Sequence, residues 1–358
     1  MTLVLDSVEA LQEAVREGPQ VLPVGGGTKP ALSDAPSDDV VGVDVSGLRG
    51  IVEYDPAELT LTAMAGTPVA EVAAALEDHG QYLPFDPPLA EAGATLGGVV
   101  AAGTSGSNAF RHGGVRDFVI GVRLVDGTGR LVAGGGRVVK NAAGFDLPKL
   151  MVGSAGRLGV IVQLSLKVFP RPPATTTLSF SLGSTEAALA AMAALGRGAL
   201  DLDALDLEPP GRVLVRLGGD AALLDGRAAR LAASVEAPCE RIDGEQDAAL
   251  WREVAALGWV PPAARVVRVG MNARRVTRLE AALDGARARY CLGANVAWVA
   301  WPDDRPLADL DAALTSLEMA GMVLTGPSHR RLLGAPGGGA FAERIRHALD
   351  PDGRFLEV

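Results

Sequence analysis

The chain has 358 residues, 48% of them apolar and 21% charged, and a formal net charge of −10. That length exceeds one ordinary hydrophobic core, so two domains are expected of a composition typical of folded proteins. The acidic balance, with no Lys/Arg-rich run and no basic amphipathic helix, argues against nucleic acid and against direct binding to a membrane surface.

From the N-terminus, Met1-Thr2-Leu3-Val4-Leu5-Asp6 lacks the charged and apolar regions of a signal peptide. No uninterrupted apolar stretch approaches the roughly 18 residues that span a bilayer. Val8, Leu11 and Val15 recur at helical spacing behind Asp6 and Ser7, and Gly18 closes that helix. Residues 21–24 read as a short strand running into Gly25-Gly26-Gly27-Thr28-Lys29, and 51–54 and 59–65 as two more strands. Thr67 is expected to cap a helix with Pro68 at its first position, Val69, Val72, Ala73 and Leu76 as its buried stripe, and Gly80 as its end. Residues 119–125 and 131–133 form a hairpin across Asp126-Gly127-Thr128-Gly129. Val160, Val162, Leu164, Leu166 and Val168 alternate with Gln163, Ser165 and Lys167, a strand with one buried face. Pro170-Arg171-Pro172-Pro173 then marks a domain boundary.

The second half alternates Ala-rich helices (185–195, 221–234, 247–257, 277–290, 307–320) with strands such as 213–217, 266–271 and 296–301, an α+β pattern without a concentrated polar motif. Its four tryptophans, Trp251, Trp259, Trp298 and Trp301, read as core or interface anchors. A last helix is expected over 341–349. Cys239 and Cys291 cannot supply four thiolates to an iron–sulfur cluster, nor are they spaced as CxxC, so they read as unpaired structural thiols of a cytoplasmic protein.

Glycine is concentrated between Gly93 and Gly159, with 17 in 67 residues, against an ordinary usage of roughly 7%. Such loops let a ligand touch bare backbone N–H groups. The familiar nucleotide motifs fail here. There is no Gly-Lys pair for a Walker A loop, and Gly25-Gly26-Gly27-Thr28-Lys29-Pro30 runs into proline where a Rossmann loop would open a helix. No G-x-S-x-G elbow gives Ser105 or Ser154 a nucleophile's setting, and no H-x-x-x-H or carboxylate cluster indicates a metal.

The order of the segments carries a resemblance. Val24-Gly25-Gly26-Gly27-Thr28-Lys29, Gly93-Ala94-Thr95-Leu96-Gly97-Gly98, Gly103 with Arg111-His112-Gly113, and Arg116-Asp117 come first. Lys140-Asn141-Ala142-Ala143-Gly144-Phe145-Asp146-Leu147 and Gly153-Ser154-Ala155-Gly156-Arg157-Leu158-Gly159-Val160-Ile161 follow. As a set, over roughly residues 1–172, they resemble the FAD-binding domain of the vanillyl-alcohol oxidase and p-cresol methylhydroxylase (PCMH-type) family. Within it, the chain looks like the FAD-binding subunits of glycolate oxidases.

That resemblance implies an α+β fold: a two-subdomain FAD-binding domain over 1–172, a smaller α+β domain with an antiparallel sheet over 173–340, and a segment over 341–358 returning to the first domain. It implies that Gly25, Gly26, Gly27, Thr28 and Lys29 wrap the FAD pyrophosphate. Pro87, Gly93, Ala94, Thr95, Gly97, Gly98, Gly103 and Arg111 would line the flavin and ribityl chain, Lys140 and Asn141 the flavin pocket, and Gly159, Val160 and Ile161 the adenosine part.

Three departures bear on function. Thr28 stands where covalent-flavin relatives carry histidine, so non-covalent FAD is expected. The histidine-rich acidic motif of related D-2-hydroxy-acid dehydrogenases is missing, His329 standing alone in Gly326-Pro327-Ser328-His329-Arg330, and no metal is expected. Leu356 replaces the asparagine of the family's closing segment.

Oxidising a hydroxy acid needs a base and a cationic clamp for the carboxylate. His112 and Arg111 are the local pair able to supply both, although an imidazole there could simply pack against the flavin. The expectation is an FAD-binding subunit of a glycolate oxidase complex acting on a small 2-hydroxy acid, beside a catalytic flavin subunit and an iron–sulfur subunit. Its expected location is cytoplasmic, reaching the inner membrane only through partners, with no direct membrane span. The competing readings are a self-sufficient FAD-dependent 2-hydroxy-acid dehydrogenase and a non-catalytic assembly subunit with a vestigial flavin site.

Overall fold

The computed structural model describes residues 2–33, 39–136, 146–326, 328, 330–335, 337 and 339–356. The chain forms two compact units. One comprises Met1–Ser105, Gly114–Pro170 and Gly337–Val358, the other Gly106–Gly113 and Arg171–Pro336.

The first unit contains a parallel three-stranded sheet in the order Thr2–Val4, Val40–Asp44, Gln20–Val24. The helix Val8–Glu17 begins where the Ser7 hydroxyl accepts the Ala10 N–H, and it buries Leu11 and Val15. An antiparallel five-stranded sheet follows, in the order Ile51–Asp55, Thr60–Met64, Val160–Lys167, Val119–Val125, Leu131–Gly135. Its alternating apolar positions Leu164 and Leu166 join Leu61, Val69, Val72, Leu76, Leu96 and Val99 in one core. The helix Leu96–Ala102 lies close to Ala65, whose Cβ would stand 2.7 Å from a Cβ placed at Gly97.

Residues near the end of the chain complete this unit. Phe355 is fully buried and bridges to Val21, whose N–H donates to Arg354 O at 2.8 Å. The Asp350 carboxylate fixes this return by accepting the N–H groups of Arg354 at 2.7 Å and Phe355 at 2.8 Å. Leu356, which replaces the expected asparagine, packs with Leu22 and Val40.

The second unit is built on a nine-stranded antiparallel sheet running from Cys239–Asp243 at one edge to Leu332–Gly334 at the other. Helices such as Thr185–Gly196 and Ala221–Ala233 bury small and aliphatic residues, among them Ala188, Met192, Leu224 and Leu231. The buried Asp247 carboxylate is satisfied by Thr175, Thr177 and Arg216, and the Trp251 indole N–H donates to Thr177 Oγ1 at 2.8 Å. Trp251, Trp298 and Trp301 are buried, as core anchors are.

Some local expectations differ. Thr67 does not cap its helix. Its hydroxyl exchanges hydrogen bonds with the Gly50 backbone, and the helix Val69–Glu77 starts behind Pro68. The helix expected over 277–290 is only Val276–Leu283, because Asp284 and Gly285 turn to φ 47° and 81°. The chain continues as the strand Arg287–Cys291, since those left-handed residues cannot propagate a right-handed helix. The helix expected to reach residue 320 ends at Ser316, before Glu318 at φ 52°.

Asp350 is buried and satisfies two backbone donors at once. Asp350→Ala is therefore expected to cost about 1–3 kcal/mol, read as a lower midpoint in urea. An unchanged midpoint would mean that the return segment is held by its apolar contacts alone.

Candidate functional site

The first glycine loop leaves the Gln20–Val24 strand and meets the segment Gly93–Thr95, Gly26 at the Gly93 backbone and Gly25 at the Thr95 side chain. A Cβ on Gly26 would lie 1.9 Å from Gly93 O, and one on Gly25 would lie 2.5 Å from Thr95 Oγ1. Side chains are thus excluded at both positions. Gly27 has φ 66°, a left-handed turn that L-residues resist. Thr95 then starts the helix Leu96–Ala102, its hydroxyl accepting the Gly98 N–H.

These loops wall an open cleft within the first unit. Gly25, Gly26, Gly27, Thr28 and Lys29 line it, together with Thr95, Gly97, Gly98, Gly159, Val160 and Ile161. The walls also include Ala101, Ala102, Ala155 and Gly156. Sequence reasoning did not assign these four, and their only signal was the run of small residues in which they sit.

Other expected residues lie behind this lining. Ala94 is tied by its N–H to Leu89 O and by its carbonyl to the Val69 N–H. The Gly93 N–H donates to Ala90 O, and Gly103, at φ 61°, ends the Leu96–Ala102 helix. Pro87 is buried. Lys140, Asn141 and His329 lie outside the described residues.

Lys29 is the one ionisable side chain among the described residues lining the cleft. It is 7% exposed, and its ammonium donates to Thr28 Oγ1 at 3.3 Å. Burial lowers its pKa to about 8, because the charged form has lost water. A groove of small residues with a desolvated lysine matches a long ligand bearing phosphate, whose negative charge would restore what burial removed.

Arg111 and His112 stand together in the short helix Ala109–His112, which belongs to the second unit. Arg111 pairs with Asp203 at 2.6 Å and with Asp201 at 3.6 Å. The His112 pKa is lowered, first by burial and then by Arg111, with Asp203 opposing, which favours the neutral imidazole. Ser107, on the same segment, bonds the fully buried Asp206. Among the described residues, no group of three or more His, Cys, Asp or Glu is placed to hold a metal, and no helix is long and apolar enough to cross a membrane.

Residues 4–135 match the family model described as an FAD binding domain. The glycolate oxidase subunit GlcE of Escherichia coli (strain K12) is 50% identical over 145 residues, 40% of this chain and 41% of that one. A D-2-hydroxyglutarate dehydrogenase of Xanthomonas citri pv. viticola is 30% identical over 204 residues, 56% of this chain and 43% of that one. The chain thus spans less than half the length of either curated relative that it matches. Among solved structures, an alkyldihydroxyacetonephosphate synthase superposes with a TM-score of 0.73 at 15% identity, covering 99% of this chain and 75% of that one. That likeness shows the fold, the two-part α+β arrangement expected from the sequence, and the chain carries an FAD-binding domain.

Two outcomes follow from the lysine. Its folded-state pKa is about 8 against 10.5 for the free side chain, so its penalty on the ligand-free protein is full below pH 8 and relieved as pH rises from 8 to 10.5. Lys29→Met is expected to stabilise that form at pH 7 by about 1–3 kcal/mol while weakening FAD about 10- to 100-fold. In the parent chain FAD affinity should fall as pH rises through about 8, where the ammonium is lost, and this dependence should vanish in the variant. Calorimetric unfolding and FAD titrations between pH 6.5 and 9.5 check both. Gly26→Ala has no space for its methyl and is expected to abolish FAD retention on gel filtration.

Proposed function

We propose that this chain is the FAD-binding subunit of a glycolate oxidase-type complex, a D-2-hydroxy-acid:acceptor oxidoreductase, and that it holds FAD non-covalently. The observation that carries this reading is the glycine-walled cleft with its single buried lysine, within a domain whose family model is FAD-binding. The 50% identity to a glycolate oxidase subunit over 145 residues supports the narrower assignment. FAD supplies a two-electron acceptor when bound. The backbone of Gly25, Gly26 and Gly27 and the Lys29 ammonium would hold its diphosphate. Val160, Ile161 and the alanines of the walls exclude water. Thr28 offers a hydroxyl where covalent attachment would need a histidine, and that hydroxyl accepts from Lys29. By resemblance, Pro87, Gly93, Ala94, Gly103, Lys140 and Asn141 complete the flavin side.

Within the complex, bound FAD would exchange electrons with a catalytic flavin subunit and an iron–sulfur subunit, the small 2-hydroxy acid being the substrate of the whole. A self-sufficient dehydrogenase is the second reading, favoured by the 30% identity to a D-2-hydroxyglutarate dehydrogenase. In that reading His112, held neutral, is the base and Arg111 the clamp for the substrate carboxylate. The Arg111 pairing with Asp203 weighs against it, since a clamp already neutralised must first exchange one carboxylate for another.

Purification separates the readings. A yellow preparation that yields its flavin to the supernatant on acid precipitation, and that co-purifies with two further subunits from its host, is the expected result. Anaerobic bleaching of the isolated chain by glycolate or D-lactate would favour the self-sufficient enzyme. A colourless chain that FAD cannot reconstitute would leave the vestigial assembly subunit.

A further inference from the structure

The FAD cleft has a second buried cation behind its wall. Arg157 belongs to the run Gly153–Gly159, of which Ala155, Gly156 and Gly159 line the cleft, and its side chain is 1% exposed. The backbone around it is fixed: its N–H donates to Ser154 O at 2.9 Å, and the Ala155 N–H donates to Ala101 O at 2.8 Å. From there its guanidinium Nη2 donates to Leu32 O at 3.3 Å, across a sequence separation of 125 residues.

Leu32 closes a small turn. Its N–H donates to Lys29 O at 3.0 Å, and the Ser33 N–H donates to Pro30 O at 2.9 Å, two bonds that close Lys29 to Ser33 into one turn. Leu32 and Ser33 also line the cleft. Arg157 therefore grips the end of the turn that carries Lys29 at its start. A guanidinium keeps its charge even when buried, and taking it out of water is costly. Here it adds positive charge behind a cleft whose one ionisable lining residue, among those described, is also a cation, in a chain of net charge −10. A diphosphate is the ligand chemistry that answers the Lys29 charge at the cleft.

We propose that Arg157 is a positioning residue for the FAD diphosphate: through Leu32 O it holds the Lys29–Ser33 turn so that the Lys29 ammonium faces the cleft. This rests on the FAD-binding reading above. Arg157 touches no reacting atom in this scheme and acts through Lys29.

The test is a double-mutant cycle read by FAD titration of the deflavinated chain, using quenching of flavin fluorescence. Arg157→Met keeps volume without charge and is expected to weaken FAD about tenfold, the scale of a charged hydrogen bond. Its FAD affinity should also lose the pH dependence near 8 that Lys29 confers. Arg157→Lys keeps the charge but not the planar donor, and should fall between Met and the parent. In the Lys29→Met background, Arg157→Met should cost less than threefold more, because residues acting as one unit are not additive. Parent-like affinity in both Arg157 variants would overturn the proposal, and so would full multiplication of the two single losses. If Arg157→Met does not fold, judged by circular dichroism, Arg157→Lys decides: severalfold weakening supports the grip on Leu32, and unchanged affinity removes it. A parent chain that binds no FAD fails at the first titration, and then the functional reading itself falls.

Discussion

The contact on which the cleft depends sets Gly26 against the Gly93 carbonyl and Gly25 against the Thr95 side chain. Gly25 and Gly26 lie against Gly93 and Thr95 with no room for a Cβ on either glycine. That approach brings the end of a parallel strand and the start of the Leu96–Ala102 helix to the same place. It leaves a channel walled by main chain and methyl groups, where a long ligand can touch N–H groups along its length. The glycines thus do two things at once, since those that admit the neighbouring loop also leave the cleft open. The five-stranded sheet contributes Val160 and Ile161 to the lining, and Ala65, just past its Thr60–Met64 strand, lies against Gly97.

Electrostatics sharpen the same picture. An acidic chain would ordinarily repel a diphosphate, and long-range attraction is not what its composition offers. The cleft instead uses a local cation kept out of water, where charge interacts more strongly than at the surface. The protein carries that lysine at a cost to the ligand-free fold, a common relation between stability and function. Its second unit handles buried charge differently, with Asp206 against Arg289 and Asp247 against Arg216 as internal pairs. Those pairs form within the unit itself, while among the described residues the cleft lysine donates to a neutral hydroxyl.

Much of this was legible in the residues and some was not. The strand over Val160–Lys167 follows from strict alternation, and the 119–135 hairpin from its Asp-Gly turn, because period and turn chemistry are local. The loop Gly25–Lys29 and the run from Gly93 to Gly98 were evident as cradles, but their mutual contact was not, since it is a matter of tertiary approach. Nothing in the sequence separates a buried Lys29 from a solvated one; the fold buries it. The segment 106–113 gave no sign that it belongs with the second unit, because Ser107 and Arg111 find their carboxylates Asp206 and Asp203 99 and 92 residues later. The helix over 277–290 was overextended because Ala and Arg favour helix, and two left-handed residues, Asp284 and Gly285, outweighed that preference.

The return of Asp350 to Phe355 onto the Gln20–Val24 strand has a consequence for how the protein is made. Residues 171–336 are synthesised between the two halves of this contact, so the strand that leads into the first glycine loop must wait for them. A nascent chain that has emerged as far as Pro170 has both loops and both sheets, yet Val21 still lacks the carbonyl of Arg354 and Leu22 lacks the side chain of Leu356. Until residues 350–356 have been made, the strand that leads into the first glycine loop lacks that support. The coenzyme, once seated, would favour the closed chain over any partly emerged form.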